Sequence, residues 1–139
     1  MSTAVFPADF EHLDAIRNFV GEAATQAGFS SQEIYSVQLA ADEACSNVIE
    51  HAYKGIQGGD IEITCQVQPG EVRIIIHDHG AQFDMGKVKK PNLSERLEDR
   101  EVGGLGVYFI YKLMDDVQFV STKKEGNTLT MVKRKAGGA

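Results

Sequence analysis

The sequence predicts an α+β fold: a two-layer α/β sandwich whose mixed, mostly antiparallel sheet is covered on one face by three helices. Two observations carry this. The apolar spacing is helical before Gly55, strand-like from Ile61 to Asp78, helical once more after Gly103, and strand-like to the end. The helices are therefore grouped rather than alternating strictly with strands, which favours helices packed on one side of a sheet over a doubly wound parallel arrangement. At 139 residues, the simplest organisation is one domain over 1–139 that needs no metal or disulfide to hold its core.

Composition narrows the function classes. A hydrophobic content of 42% with 24% charged residues is that of a globular chain, not a disordered one. Fourteen Lys and Arg against twenty Asp and Glu leave a net charge of -6, which argues against direct nucleic-acid binding. No apolar run reaches membrane-spanning length, and Met1 to Pro7 lacks the basic-then-apolar layout of a signal peptide, so a cytoplasmic protein with no membrane partner is expected. Cys45 and Cys65 have no metal-ligand spacing and read as reduced core thiols. No pair among the four histidines has a zinc-like context.

Residues 2–6 suit a short edge strand ended by Pro7. Asp9 caps a helix with Leu13, Ile16, Val20, Ala23 and Ala27 inward, closed by Gly28. Ser30, Ser31 and Glu33 are capping signals for a second helix running to about Tyr53, ended by Gly55, Gly58 and Gly59. Ile61, Ile63, Cys65 and Val67 alternate with polar residues as one strand, and Pro69-Gly70 turns the chain. Val72, Ile74 and Ile76 share a face of the next strand, and Asp78 continues that inward row, where a carboxylate is costly unless something uses it. The charged stretch at about 85–102, broken by Pro91, is expected to be a functional lid. Gly103-Gly104-Leu105-Gly106 opens a third helix with Val107, Ile110, Tyr111 and Met114 inward. Asp116 to Thr122 and Asn127 to Lys133 form a closing hairpin across Glu125-Gly126, with Lys133, Arg134 and Lys135 as a solvated strand end.

Chemistry is suggested first by the second helix. Ser36, Glu43, Asn47 and Glu50 fall on one stripe, opposite Val37, Ala41, Ala44, Val48 and Ala52. Glu43 and Asn47 are neighbours one turn apart, so an amide oxygen could ligate a hard cation while the carboxylate takes a proton. Taken alone, the stripe is also what an ordinary solvated helix face looks like. Asp78 could accept from an adenine amine, Gly80 lets backbone lie close to a flat base, and the amides near Gly104 to Gly106 could receive phosphates. There is no G-x-x-x-x-G-K-[ST] phosphate loop.

In order, these pieces resemble the ATP-binding fold of gyrase, heat-shock chaperones, histidine kinases and mismatch-repair ATPases, the Bergerat or GHKL fold. Glu43-x-x-x-Asn47 is similar to its N-box, Asp78-His79-Gly80-Ala81-Gln82-Phe83-Asp84 to its first glycine box, and Gly103-Gly104-Leu105-Gly106 to its second. Within that superfamily, Asp42 to Asn47 followed by His51-Ala52-Tyr53-Lys54, Asp78-x-Gly80-x-x-Phe83-Asp84, and the run from Gly103 to Asp115 resemble the stand-alone anti-sigma factor serine-protein kinases. The resemblance spans roughly 4–133.

The resemblance implies ATP and Mg as cofactors. It implies Glu43 as general base, Asn47 as the magnesium ligand, and Asp78 reading the adenine amine. Gly80 would lie beneath the base with Phe83 beside it in the box, and Thr128 would help from the last strand. Gly104, Leu105 and Gly106 would bring amides to the phosphates and hinge the lid. Gln82 stands where the wider superfamily has a second glycine, and Val102 where some relatives carry a basic residue, leaving Arg100 or Arg96 to reach the γ-phosphate. The implied function is an ATP-dependent serine kinase in a partner-switching system. It would phosphorylate a small anti-sigma antagonist, hold a sigma factor or similar regulatory target, and form a homodimer. The alternative is a nucleotide-dependent binding module with little or no kinase activity. A detached histidine-kinase catalytic domain ranks last, because no phospho-acceptor helix is present.

Overall fold

A computed structural model describes residues 1–83 and 104–135, with only the backbone of 104–106 described. The expected lid at about 85–102, with Arg96 and Arg100, and Gly103 lie outside the described residues.

The edge strand β1 (Ser2–Pro7) runs antiparallel to β2 (Asp60–Gln68), with Ser2 opposite Cys65 and Pro7 opposite Asp60. Pro7, which has no amide hydrogen to give a ladder, is the last residue of an outermost strand. Asp9 then caps a single 3-10 turn, Phe10–His12, accepting from the His12 amide, and the chain tightens into α1 (Leu13–Gln26). Gly28 closes it with φ +87°.

Helix α2 (Ser31–Asn47) opens with a full capping box. The Ser30 hydroxyl accepts from the Glu33 amide at 3.2 Å, and the Glu33 carboxylate accepts from the Ser30 amide at 2.9 Å. Replacing Ser30 by Ala leaves an orphan amide on this exposed turn. The expected cost is about 1 kcal/mol, read as a lower urea midpoint at unchanged slope.

The second helix does not continue as an α-helix to Tyr53. Val48–Ala52 forms a wider π turn, closed by the Tyr53 amide on the Val48 carbonyl at 3.0 Å. Strands β2 and β3 (Glu71–Asp78) follow as the alternation requires, and α3 spans Gly104–Leu113. The closing hairpin is β4 (Asp116–Thr122) and β5 (Gly126–Arg134). The sheet order is β1-β2-β3-β5-β4, and every pairing among the described residues is antiparallel.

One sheet face is apolar. Ile61, Ile63, Cys65, Val72, Ile74, Ile76, Leu129 and Met131 meet Ile16 and Val20 of α1, Val37, Ala41 and Ala44 of α2, and Val107 and Ile110 of α3 in one core. The other face is uncovered among the described residues and carries Val5 and Val120, each more than half exposed. This is the two-layer sandwich with helices on one side. Tyr111 is a correction: it lies 40% exposed, because Ile110 and Met114 already turn α3's inward face away from it. The basic strand end is also not simply solvated. Lys133 donates to the Leu113 carbonyl at the end of α3, and Arg134 pairs with Asp116 and Glu71.

Candidate nucleotide site

The inward row of β3 ends on Asp78, only 1% exposed. Its neighbour across the ladder is Asn127 of β5, also 1% exposed. The Asn127 amide donates to Asp78 Oδ1 at 2.9 Å and to the Ala81 carbonyl at 3.0 Å, while its own oxygen faces the Ser121 hydroxyl at 2.5 Å. The Gly80 amide also donates to Asp78 Oδ1, at 2.9 Å. One carboxylate oxygen is thus doubly satisfied. The other, Oδ2, is buried and has no partner among the described residues.

Asp78 lines a narrow cavity with Ala44, Asn47, Val48, Ile76, Phe83, Phe119, Asn127 and Leu129. Asn47, 5% exposed, brings a second buried orphan, Nδ2. Buried polar atoms without partners are rare in folded proteins, and each costs roughly 1–3 kcal/mol. Both belong to residues that line this one cavity, alongside Asn127 and six apolar or aromatic side chains. Burial is what pushes the Asp78 carboxyl above its ordinary range, against the pull of Asn127, the Gly80 amide and His77 and His79.

The loop that follows Asp78 is locked to the end of the helix that carries Asn47. The Ala52 carbonyl, one of the unpaired carbonyls at the helix end, accepts from the Ala81 amide at 2.8 Å. At Gly80, an added Cβ would lie 2.6 Å from that carbonyl oxygen. Glycine is required there by helix-to-loop contact, a reason distinct from the expected close approach to a base. Gly126 is constrained twice: φ is +84° and a Cβ would meet the Asp78 carbonyl oxygen at 2.1 Å.

A protein-family model described as a histidine kinase-like ATPase domain matches residues 6–133. The chain belongs to that ATPase family. Among curated relatives, serine-protein kinase RsbW of Bacillus thuringiensis (strain Al Hakam) and of Bacillus cereus (strain 03BB102) are each 34% identical over 131 residues, covering 91% of this chain and 80% of theirs. Among solved structures, the RsbU and RsbW domains of Rv1364c from Mycobacterium tuberculosis superpose with a TM-score of 0.62 at 17% identity. That match covers 96% of this chain and 32% of the other, so this chain spans about a third of that structure. The histidine kinase domain of a blue-light activated kinase from Erythrobacter litoralis gives 0.56 at 13% identity, over 94% of this chain and 62% of that one. These structural likenesses speak for the fold alone.

Within this ATPase-family fold, Asn47, Asp78 and Phe83 come together on one cavity. Glu43 stands one turn before Asn47 on α2, half-buried. Partial burial raises its carboxyl above the ordinary value, reinforced by the negative charges of Asp42 and Glu50. The stripe read as a wet helix face therefore sinks into the fold at Asn47. Gly104, Leu105 and Gly106 open α3, whose Val107 and Ile110 are buried. Arg100 lies outside the described residues.

Thr128 is a correction. It pairs with His77, not Asp78, and its hydroxyl sits 2.8 Å from His77 Nδ1 on the uncovered face. Side chains alternate along a strand, so Thr128 cannot share Asp78's face. Asn127 takes the position expected of it. The signal was present in the sequence: Leu129 and Met131 set the inward parity of β5, and Asn127 has the same parity. His77 and His79 do face away from the cavity, their rings edge-to-face at 4.6 Å. Both cysteines are free and buried, with burial pushing the Cys65 thiol up to about 11. Among the described residues no helix is long and apolar enough to cross a membrane.

Proposed function

We propose that the chain is an ATP-dependent serine-protein kinase acting as an anti-sigma factor in partner switching, and that ATP enters the Asp78–Asn47 cavity with its adenine amine donating to Asp78 Oδ2. The single observation that carries the reading is the orphaned oxygen of Asp78, whose carboxylate is held in place through its other oxygen on a mostly apolar cavity. The chemistry of the lining suits adenine: apolar side chains of Val48, Ile76, Leu129 and Phe83 for a flat ring, and a carboxylate for one exocyclic donor. The serine-kinase names of the relatives support the transfer to a protein hydroxyl.

Asn47 would hold magnesium through its amide oxygen, a hard ligand suited to an ion otherwise coordinated by phosphates and water. The ion, when bound, supplies charge neutralisation at the triphosphate. Glu43 would take the proton of the acceptor serine as its oxygen bonds to the γ-phosphorus and the bond to ADP breaks. Gly104, Leu105 and Gly106 would offer amides to the phosphates, and Arg100 a charge to the γ-phosphate. A sigma factor or similar regulator as target, a small antagonist as phospho-acceptor, a homodimeric state and a cytoplasmic location belong to the same proposal.

The test is incubation with magnesium and γ-labelled ATP in the presence of candidate small antagonist domains. Label is expected on an acceptor serine. Tight ATP binding with no transfer to any acceptor would assign the chain instead to nucleotide-dependent binding modules.

A further inference from the structure

Tyr53 follows the π turn and is buried. Its hydroxyl makes two bonds at once: it accepts from the His79 amide at 3.0 Å and donates to the Asp60 carbonyl at 2.8 Å. Those two backbone groups belong to a ladder. The register of β2 against β3 sets Ile61 opposite Asp78, so Asp60 and His79 come next.

In an antiparallel sheet, successive residues present their backbone polar groups to alternate neighbours. The Ala8 amide donates to the Gly59 carbonyl at 2.8 Å, so Gly59 faces the β1 side and Asp60 faces β3. A regular ladder would therefore close with the His79 amide directly on the Asp60 carbonyl. Instead the tyrosine hydroxyl is inserted between them. Its ring lies against Gly59, where a Cβ would come within 2.6 Å of Tyr53 Cε1. The ladder ends at the Ile61–Asp78 pair, and the tyrosine hydroxyl takes the next position.

Three further bonds hold the same corner: Gly80 amide to Asp78 Oδ1, Asn127 amide to Asp78 Oδ1, and Ala81 amide to the Ala52 carbonyl. Two adjacent residues at the end of the Asn47 helix, Ala52 and Tyr53, thus clamp the loop that begins at Asp78. We propose that Tyr53 is a positioning residue for nucleotide recognition, its hydroxyl setting the corner that aims the free oxygen of Asp78 at the base amine. This rests on the ATP reading of the cavity. A phenylalanine in its place leaves the His79 amide and Asp60 carbonyl without their shared partner. They can then approach each other or admit water, and either movement turns Asp78.

The experiment compares Tyr53→Phe with the wild-type chain for binding of ATP and of purine riboside triphosphate, which lacks the 6-amino group, by titration calorimetry. Circular dichroism confirms that each protein is folded at the temperature used. Wild type should prefer ATP. In the variant, ATP affinity should fall about tenfold, while the analogue changes little, so that the preference collapses. A general loosening of the fold would weaken both ligands alike and leave the preference standing. Gly59→Ala, which presses on the ring from its other side, should shift the preference in the same direction. If wild type prefers ATP and both variants keep that preference, the role assigned to Tyr53 is wrong and the cavity reading survives. If wild type binds neither nucleotide, the cavity reading falls and takes this role with it.

Discussion

Asp78→Asn is expected to weaken ATP binding by about 100-fold, while the apo protein becomes more stable at neutral pH. The side-chain oxygen of the substituted amide can still accept from Asn127 and from the Gly80 amide, so the corner keeps its bonds. The atom facing the cavity changes from an acceptor to a donor, and it meets the adenine amine donor to donor. Losing a charge-assisted bond and setting a donor against the amine costs about 3 kcal/mol together, which is the stated factor.

The stability gain follows from linkage. Burial raises the folded carboxyl above its ordinary value of 3.8, so the folded state binds the proton more tightly than the unfolded chain. That contribution is fully present below pH 3.8 and is lost as pH rises through the raised folded value. The neutral amide has no such loss. Thermal unfolding of the two apo proteins should therefore diverge upward from about that pH, with the variant melting higher at pH 7. Equal ATP affinity in variant and wild type would remove Asp78 from base recognition. Identical pH dependence would mean that its carboxyl is not held up by burial.

Glu43→Gln is expected to lower phosphotransfer by two to three orders of magnitude with ATP affinity nearly unchanged, the range typical of a lost general base. The isosteric amide preserves the volume on α2 and removes only the proton acceptor. Desolvation, with Asp42 and Glu50 nearby, shifts the wild-type carboxyl towards neutrality and so makes it the stronger base. Wild-type transfer should fall on acidification as Glu43 takes up a proton, whereas the residual transfer of the variant should lack that limb. A single-turnover assay with saturating ATP separates the two effects. Transfer at the wild-type rate would reassign Glu43 to a structural role.

Much of the fold was legible because its signals are local. The capping box at Ser30 and Glu33, the alternation of Ile61 to Val67, and the Gly126 turn each depend on residues a few positions apart. Asp78 was legible for a related reason: it continues an apolar row in which a carboxylate is out of place. The π turn was not, since Val48–Ala52 has the composition of an ordinary α-helix. It occurs where the Ala52 carbonyl meets Ala81, nearly thirty positions along the chain. Thr128 was misassigned because naming a residue from a motif ignores strand parity, and a shift of one residue exchanges the faces of the sheet.

The order of elements, the face each presents to the core, and three residue groups whose chemistry suits a nucleotide could be read from the chain alone. Periodicity, capping and turn preference act over a few residues, so one dimension suffices to read them. It took the folded molecule to show which oxygen of Asp78 is free, that Asn127 holds the other, and that Asn47 opens on the same cavity. The same holds for Tyr53, which stands between two strands as part of their ladder. Those are contacts across 7 to 49 positions of chain, set by how sheet register and helix docking are solved together, and no local preference encodes them.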